Sequence, residues 1–122
     1  MIAGVVNARR EAVLGLCVRG PGRTELVDAV VDTGFSGSLT LPTSLVAKLG
    51  LVRVSTSHAI LADGSNCPFE VYEAEIEWGT GWRPILVSAV GTEVLAGMRL
   101  LANHEFRVAV IPGGVVAVTP LP

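Results

Sequence analysis

Apolar and polar positions alternate along most of this chain with a period of two, the strand period, rather than the period of about 3.6 that marks a helix face. Phe69 to Trp78 is the cleanest stretch. Tyr72, Ala74, Ile76 and Trp78 alternate there with Glu73, Glu75 and Glu77, which predicts a half-buried strand with one wet face. Phe106, Val108 and Val110 alternate with Arg107 and Ala109, and Val13 to Arg19 alternates more loosely. Ile2–Val6, Leu26–Asp32, Leu39–Leu41, Trp82–Val90 and Val115–Val118 are apolar runs of strand length. Leu51–Val54 and Ser57–Leu61 read as two further strands.

Breaks between these runs carry turn chemistry. Pro21-Gly22, Gly79-Thr80-Gly81 and Pro112-Gly113-Gly114 punctuate the chain, and Ala62-Asp63-Gly64-Ser65 is a hairpin signal because Asp-Gly suits a tight turn with positive φ. Pro42 to Gly50 fits one short helix, with Pro near its start and Gly just past its end. Met98 to Ala102 fits a second. The expectation is a single mostly-β domain over residues 1–122, with one or two short helices and no repeat, linker or low-complexity tail.

Composition agrees with that picture. Half the residues are apolar, Gly (14) and Pro (7) are plentiful, and only 16% are charged, which suits short strands joined by turns. A formal charge of −2, with no basic cluster beyond Arg9-Arg10, gives no pull toward nucleic acid or anionic lipid. The most apolar stretch, Val108 to Leu121, is interrupted by Pro112-Gly113-Gly114 and Pro120, so no membrane-spanning helix is expected. Arg9-Arg10-Glu11 cuts the N-terminal apolar segment too early for a signal peptide. Cys17 and Cys67 have no C-x-x-C spacing and read as reduced thiols, so the expected location is cytoplasmic. His58 and His104 lack metal-ligand spacing and are expected on the surface or in loops; no metal and no cofactor is assigned. Ser36 and Ser38 lie in no Gly-x-Ser-x-Gly elbow, so a serine nucleophile is not supported.

One residue breaks the pattern. The run Leu26-Val27-Asp28-Ala29-Val30-Val31 drives into the carboxylate of Asp32, then into Thr33-Gly34-Phe35-Ser36-Gly37-Ser38, before extended structure resumes at Leu39. An acid at the end of a buried strand is costly unless it is hydrogen-bonded or paired. Downstream stand the hairpin tip Ala62-Asp63-Gly64-Ser65 and the apolar pair before glycine, Leu95-Ala96-Gly97. In this order the features resemble the retropepsin-like aspartic proteases, the single-domain relatives of pepsin and of the retroviral proteases. The likeness runs from about residue 10 to 118 and is closest to small prokaryotic members with Asp-Thr-Gly-Phe-Ser-Gly.

That resemblance implies a small closed acid-protease-type β-barrel with a flap hairpin, acting as a homodimer on an extended peptide or protein substrate. Asp32 is then the catalytic acid. Thr33 and Gly34 support the catalytic loop, Ser36 touches substrate, Ala62, Asp63, Gly64 and Ser65 form the flap tip, and Leu95, Ala96 and Gly97 pack under the loop. Such hydrolysis needs two carboxylates around one water, sharing one proton. The chain offers one: Asp28 lies about 13 Å back along an extended strand, and Asp63 lacks a Thr-Gly context. The implied partner is Asp32 of a second copy across a two-fold axis, with one or both of the terminal segments Ile2–Val6 and Val115–Val118 expected to pair with their mates at the interface. Departures from the family are Phe35 where a hydroxyl residue or Ala is usual, Ser36 where retroviral members carry an acid, a polar flap tip, and the small Ala96. They leave open a catalytically weak dimeric peptide-binding or scaffold module, or a monomeric barrel in which Asp32 only braces a turn.

Overall fold

The computed structural model describes residues 1–122. Ten strands and one helix follow in order: β1 (Ile2–Val6), β2 (Ala12–Gly20), β3 (Arg23–Val31), β4 (Leu39–Leu41), α1 (Thr43–Leu49), β5 (Val52–Ile60), β6 (Asn66–Trp78), β7 (Gly81–Ala89), β8 (Leu95–Ala96), β9 (His104–Val108) and β10 (Val115–Pro120). All strands join one sheet in the order β5-β6-β7-β4-β8-β3-β2-β1-β10-β9. A further pairing of β2 with β6, Val18 opposite Ile76 and Arg19 opposite Glu75, closes β2, β3, β8, β4, β7 and β6 into a six-stranded barrel.

Alternation decides what lies inside. Leu14, Leu16 and Val18 of β2 point inward, as do Val27 and Ala29 of β3, while Gly15, Leu26 and Asp28 face out. Leu39, Leu41, Ala74, Ile76, Ile85, Val87 and Ala96 complete the interior, and Leu100 and Leu101 pack against it. The edge strands of the sheet are β5 and β9. Helix α1 lays Val46 and Leu49 on the core. It ends as its sequence predicts: Gly50 takes φ 65°, its N–H bonds Ala47 O at 3.0 Å, and the Leu51 N–H reaches Val46 O at 3.2 Å. This paired closure satisfies carbonyls the helix end leaves free.

Three expectations are corrected. Leu51–Val54 and Ser57–Leu61 are not two strands; β5 is continuous and absorbs the irregularity as a bulge between Arg53 and Ser55. Met98–Ala102 is a run of turns, not a helix. The Met98 and Arg99 N–H groups bond outside it, to Phe35 O (2.8 Å) and Gly37 O (3.2 Å), and Asn103 at φ 65° ends the segment. Finally, the terminal segments are not open edges awaiting a second copy. β1 pairs with β10 (Ile2 opposite Val118) and with β2, and β10 pairs with β9, all within one chain. No helix is long and apolar enough to cross a membrane.

Candidate functional site

Strand β3 delivers Asp32 to a seven-residue connection, 32–38, and β8 holds that connection at both ends. The two residues of β8 sit between β3 and β4. Val30 and Val31 run parallel to Leu95 and Ala96, and Ala96 also lies opposite Leu39. Backbone bonds lock the join: Asp32 N–H to Ala96 O at 2.9 Å, Val30 N–H to Val94 O at 2.9 Å, and Gly97 N–H to Ser38 O at 2.9 Å. The buried Thr40 adds a side-chain clasp. Its hydroxyl donates to Glu93 O (3.0 Å) and accepts the Leu95 N–H (2.9 Å). No buried side-chain polar atom in the molecule lacks a partner.

Gly97 is required by packing. A Cβ there would overlap the carbonyl oxygens of Gly37 and Phe35 and the Phe35 ring. Leu95, Ala96 and Gly97 therefore divide their work. Ala96 and Gly97 are buried beneath the loop, whereas Leu95 is half-buried and turns toward the groove above it.

Asp32 itself is half-buried. Its Oδ1 accepts the Gly34 N–H at 2.9 Å, and its carbonyl accepts the Phe35 N–H at 3.1 Å. The Asx-type turn fixes the carboxyl direction locally. Thr33 and Gly34 are exposed at the crest of the turn. No side-chain hydroxyl bonds the carboxyl, and the Phe35 ring packs against Gly37 and Gly97.

Asp32 opens into the largest groove of the molecule, about 770 Å³. Gly34, Phe35, Ser36 and Ser38 form its floor with Leu95. Phe69, Val71, Leu86, Ser88 and Val90 form the sheet wall, and Ser57, His58, Ala59 and Ile60 of β5 form the other side. Asp32 is the only carboxylate in the lining, Arg99 the only Lys or Arg, and His58 the only His. Asp28 faces outward opposite Gly15 and takes no part.

The hairpin of β5 and β6 carries the expected tip, but not in the lining. Ala62, Asp63, Gly64 and Ser65 are exposed beyond the groove. Gly64 adopts φ 83°, Leu61 N–H bonds Ser65 O at 2.9 Å, and Asp63 Oδ1 accepts the Ser65 N–H at 2.8 Å. Hydrogen bonds from Ser65, side chain and backbone, hold the Asp63 carboxyl below the usual range. The strand just before the tip, through Ile60, is what reaches the groove.

Two lining residues escaped the sequence reading. His58 is exposed, as expected, but it stands in β5 and lines the groove. A polar run, Ser55-Thr56-Ser57-His58, gives no signal of which face turns inward. Arg99 lay hidden in a segment read as helix. His104 is likewise in a strand. Its Nε2 accepts the Trp78 indole N–H at 3.1 Å and its Nδ1 lies 2.8 Å from Ala102 O, so Nδ1 carries the proton and Nε2 is bare. Trp82 stacks beneath the Arg19 guanidinium, 3.8 Å from the ring centre. Cys17 and Cys67 are both free, and no cluster of three or more His, Cys, Asp or Glu side chains could hold a metal ion.

A scan against protein-family models finds no match, and no curated protein or solved structure matches the chain.

Proposed function

We propose that this chain is half of an aspartic endopeptidase, completed by a second copy. The observation that carries the reading is a single carboxylate, Asp32, on a turn locked by β8 at the mouth of a groove that holds no other acid. Rigid placement is what a general acid–base group needs, since small displacements of a reacting group cost rate steeply. The exposed crest, Thr33 and Gly34, gives a second Asp32 turn a place to approach across a two-fold axis.

In the assembled site one carboxyl is ionised and the other protonated, because neighbouring like charges cannot both ionise. The ionised member takes a proton from water as the oxygen attacks the scissile carbonyl carbon. The protonated member donates to the carbonyl oxygen, giving a tetrahedral diol. Collapse of the diol breaks the C–N bond, with the departing nitrogen protonated and the starting protonation restored. The substrate lies extended between the sheet wall and β5, whose edge backbone offers pairing to a peptide. The β5–β6 hairpin serves as the flap, with Ile60 and His58 rather than the tip tetrapeptide as its contact residues.

A second reading keeps the groove and the dimer but drops turnover. Phe35, which leaves the outer side of Asp32 without a hydroxyl partner, favours a peptide-binding module. Incubation with a mixed peptide library separates the two. The enzyme reading requires cleavage between about pH 3 and 7, the range open to such a dyad. It also requires loss of cleavage in Asp32→Asn, inhibition by a statine-type mimic and a dimer by sedimentation. Peptide binding without cleavage at any pH in that range supports the module, and a strict monomer removes both.

A further inference from the structure

We infer that Arg99 makes the groove selective for a peptide carboxylate, so that the preferred ligand is an acidic extended peptide. This rests on the groove being the peptide site and deepens that reading. Arg99 is exposed, lines the groove beside Ser38 and Leu86, and also lines the adjoining hollow with Arg83 and Glu73. The ion pairs of the chain are Arg19–Glu75, Arg23–Glu25, Lys48–Glu25, Arg53–Glu70 and Arg107–Glu105, and none uses Arg99. Nor does its guanidinium donate any hydrogen bond. Arg83 differs. Its guanidinium donates to Leu100 O (3.0 Å) and Arg99 O (3.3 Å), so it holds the segment that carries Arg99.

The backbone fixes where this charge stands. Arg99 N–H bonds Gly37 O inside the Asp32 connection, so Arg99 and Asp32 are carried on one locked unit. Asp32 repels anions at the reacting centre, and Arg99 attracts them at the Leu86 end. A carboxylate has a matched donor only at that end, where a planar guanidinium can bind it through two parallel bonds. The rest of the lining is apolar or neutral apart from His58. The carboxylate has two sources, an Asp or Glu side chain within a peptide or the α-carboxylate at a peptide's C-terminus, and the test separates them.

Full-length Asp32→Asn protein is immobilised and offered a mixed decapeptide library, N-acetylated and C-amidated, with Glu and Gln at equal frequency. A second pool is neutral in its side chains and carries free or amidated C-termini. Captured peptides are read by mass spectrometry. The expected result is about fivefold enrichment of Glu over Gln in the first pool, or of free over amidated ends in the second, a factor in keeping with an exposed ion pair. Arg99→Gln abolishes the enrichment and Arg99→Lys retains part of it. Equal capture of all four peptide types, or enrichment that survives in Arg99→Gln, overturns the role of Arg99 and leaves the groove reading standing. Capture of no peptide overturns the groove reading and this inference together.

Discussion

The Asp32 turn and the β5–β6 hairpin line one groove and are built in opposite ways. The turn is tied by backbone bonds to β8 on both sides, rests on the buried Ala96 and Gly97, and is clasped by Thr40. The hairpin has little beneath it. Every residue of β5 except Ala59 is exposed, and Ile60 is 73% exposed. In the proposed reading, chemistry stands on the part of the fold that cannot yield without disrupting the barrel. Coverage would then fall to the part that opens at small cost, as expected of segments that admit a ligand.

The comparison is broken most sharply from the rigid side. Gly97→Val forces a side chain onto two backbone oxygens and the Phe35 ring. The expected result is a loss of about 4 kcal/mol, or of folding altogether, by urea denaturation. Unchanged stability would show that β8 does not brace the turn. Leu39→Ala comes next. Leu39 is fully buried between β8 and β7, and truncation is expected to cost about 3 kcal/mol. The matching change on the hairpin, Ile60→Ala, is expected to alter stability by less than about 0.5 kcal/mol while weakening peptide capture. A large stability loss there would erase the contrast.

Native-state hydrogen exchange compares the two regions without mutation. The amides of Asp32 and Gly97 are expected to exchange only near the global unfolding rate, and those of Leu61, Gly64 and Ser65 at least about a hundredfold faster. Similar protection in both would contradict the picture of a loose cover. The smallest effect is on pH. Arg53, bonding the Glu70 side chain with help from the Thr56 hydroxyl, holds that carboxyl below the usual range, and Ser65 does the same for Asp63. Because the folded values are lowered, the contribution is present above the ordinary carboxylate range and is lost as pH falls through the folded values. The protection of the hairpin amides, measured against their intrinsic exchange rates at each pH, is therefore expected to fall on acidification, and Glu70→Gln to flatten that dependence.

Much of the architecture was legible because most of the longer strands carry their own signal, whereas the two residues of β8 do not. The Tyr72–Trp78 alternation, the Asp63-Gly64 turn and the Pro42/Gly50 limits of the helix all appear where local chemistry puts them. What escaped depends on partners distant in sequence. Met98–Ala102 has helix-forming residues, yet its first N–H groups are claimed by Phe35 and Gly37 across the fold. Nothing local says that β1 and β10 satisfy each other, or that β2 reaches β6 to close the barrel. Asp32 announced itself as a charge ending an apolar run. His58 and Arg99 became part of the groove only once the hairpin and the turn were set opposite one another.

The central claim is that one working site takes one Asp32 from each of two chains. Mixing wild-type with Asp32→Asn protein at constant total concentration, under conditions that let subunits exchange, tests it most directly. If the dyad spans the dimer, cleavage falls as the square of the wild-type fraction, to about a quarter in an equal mixture. A linear fall, to about half, would mean that each chain carries a complete site and would contradict the account.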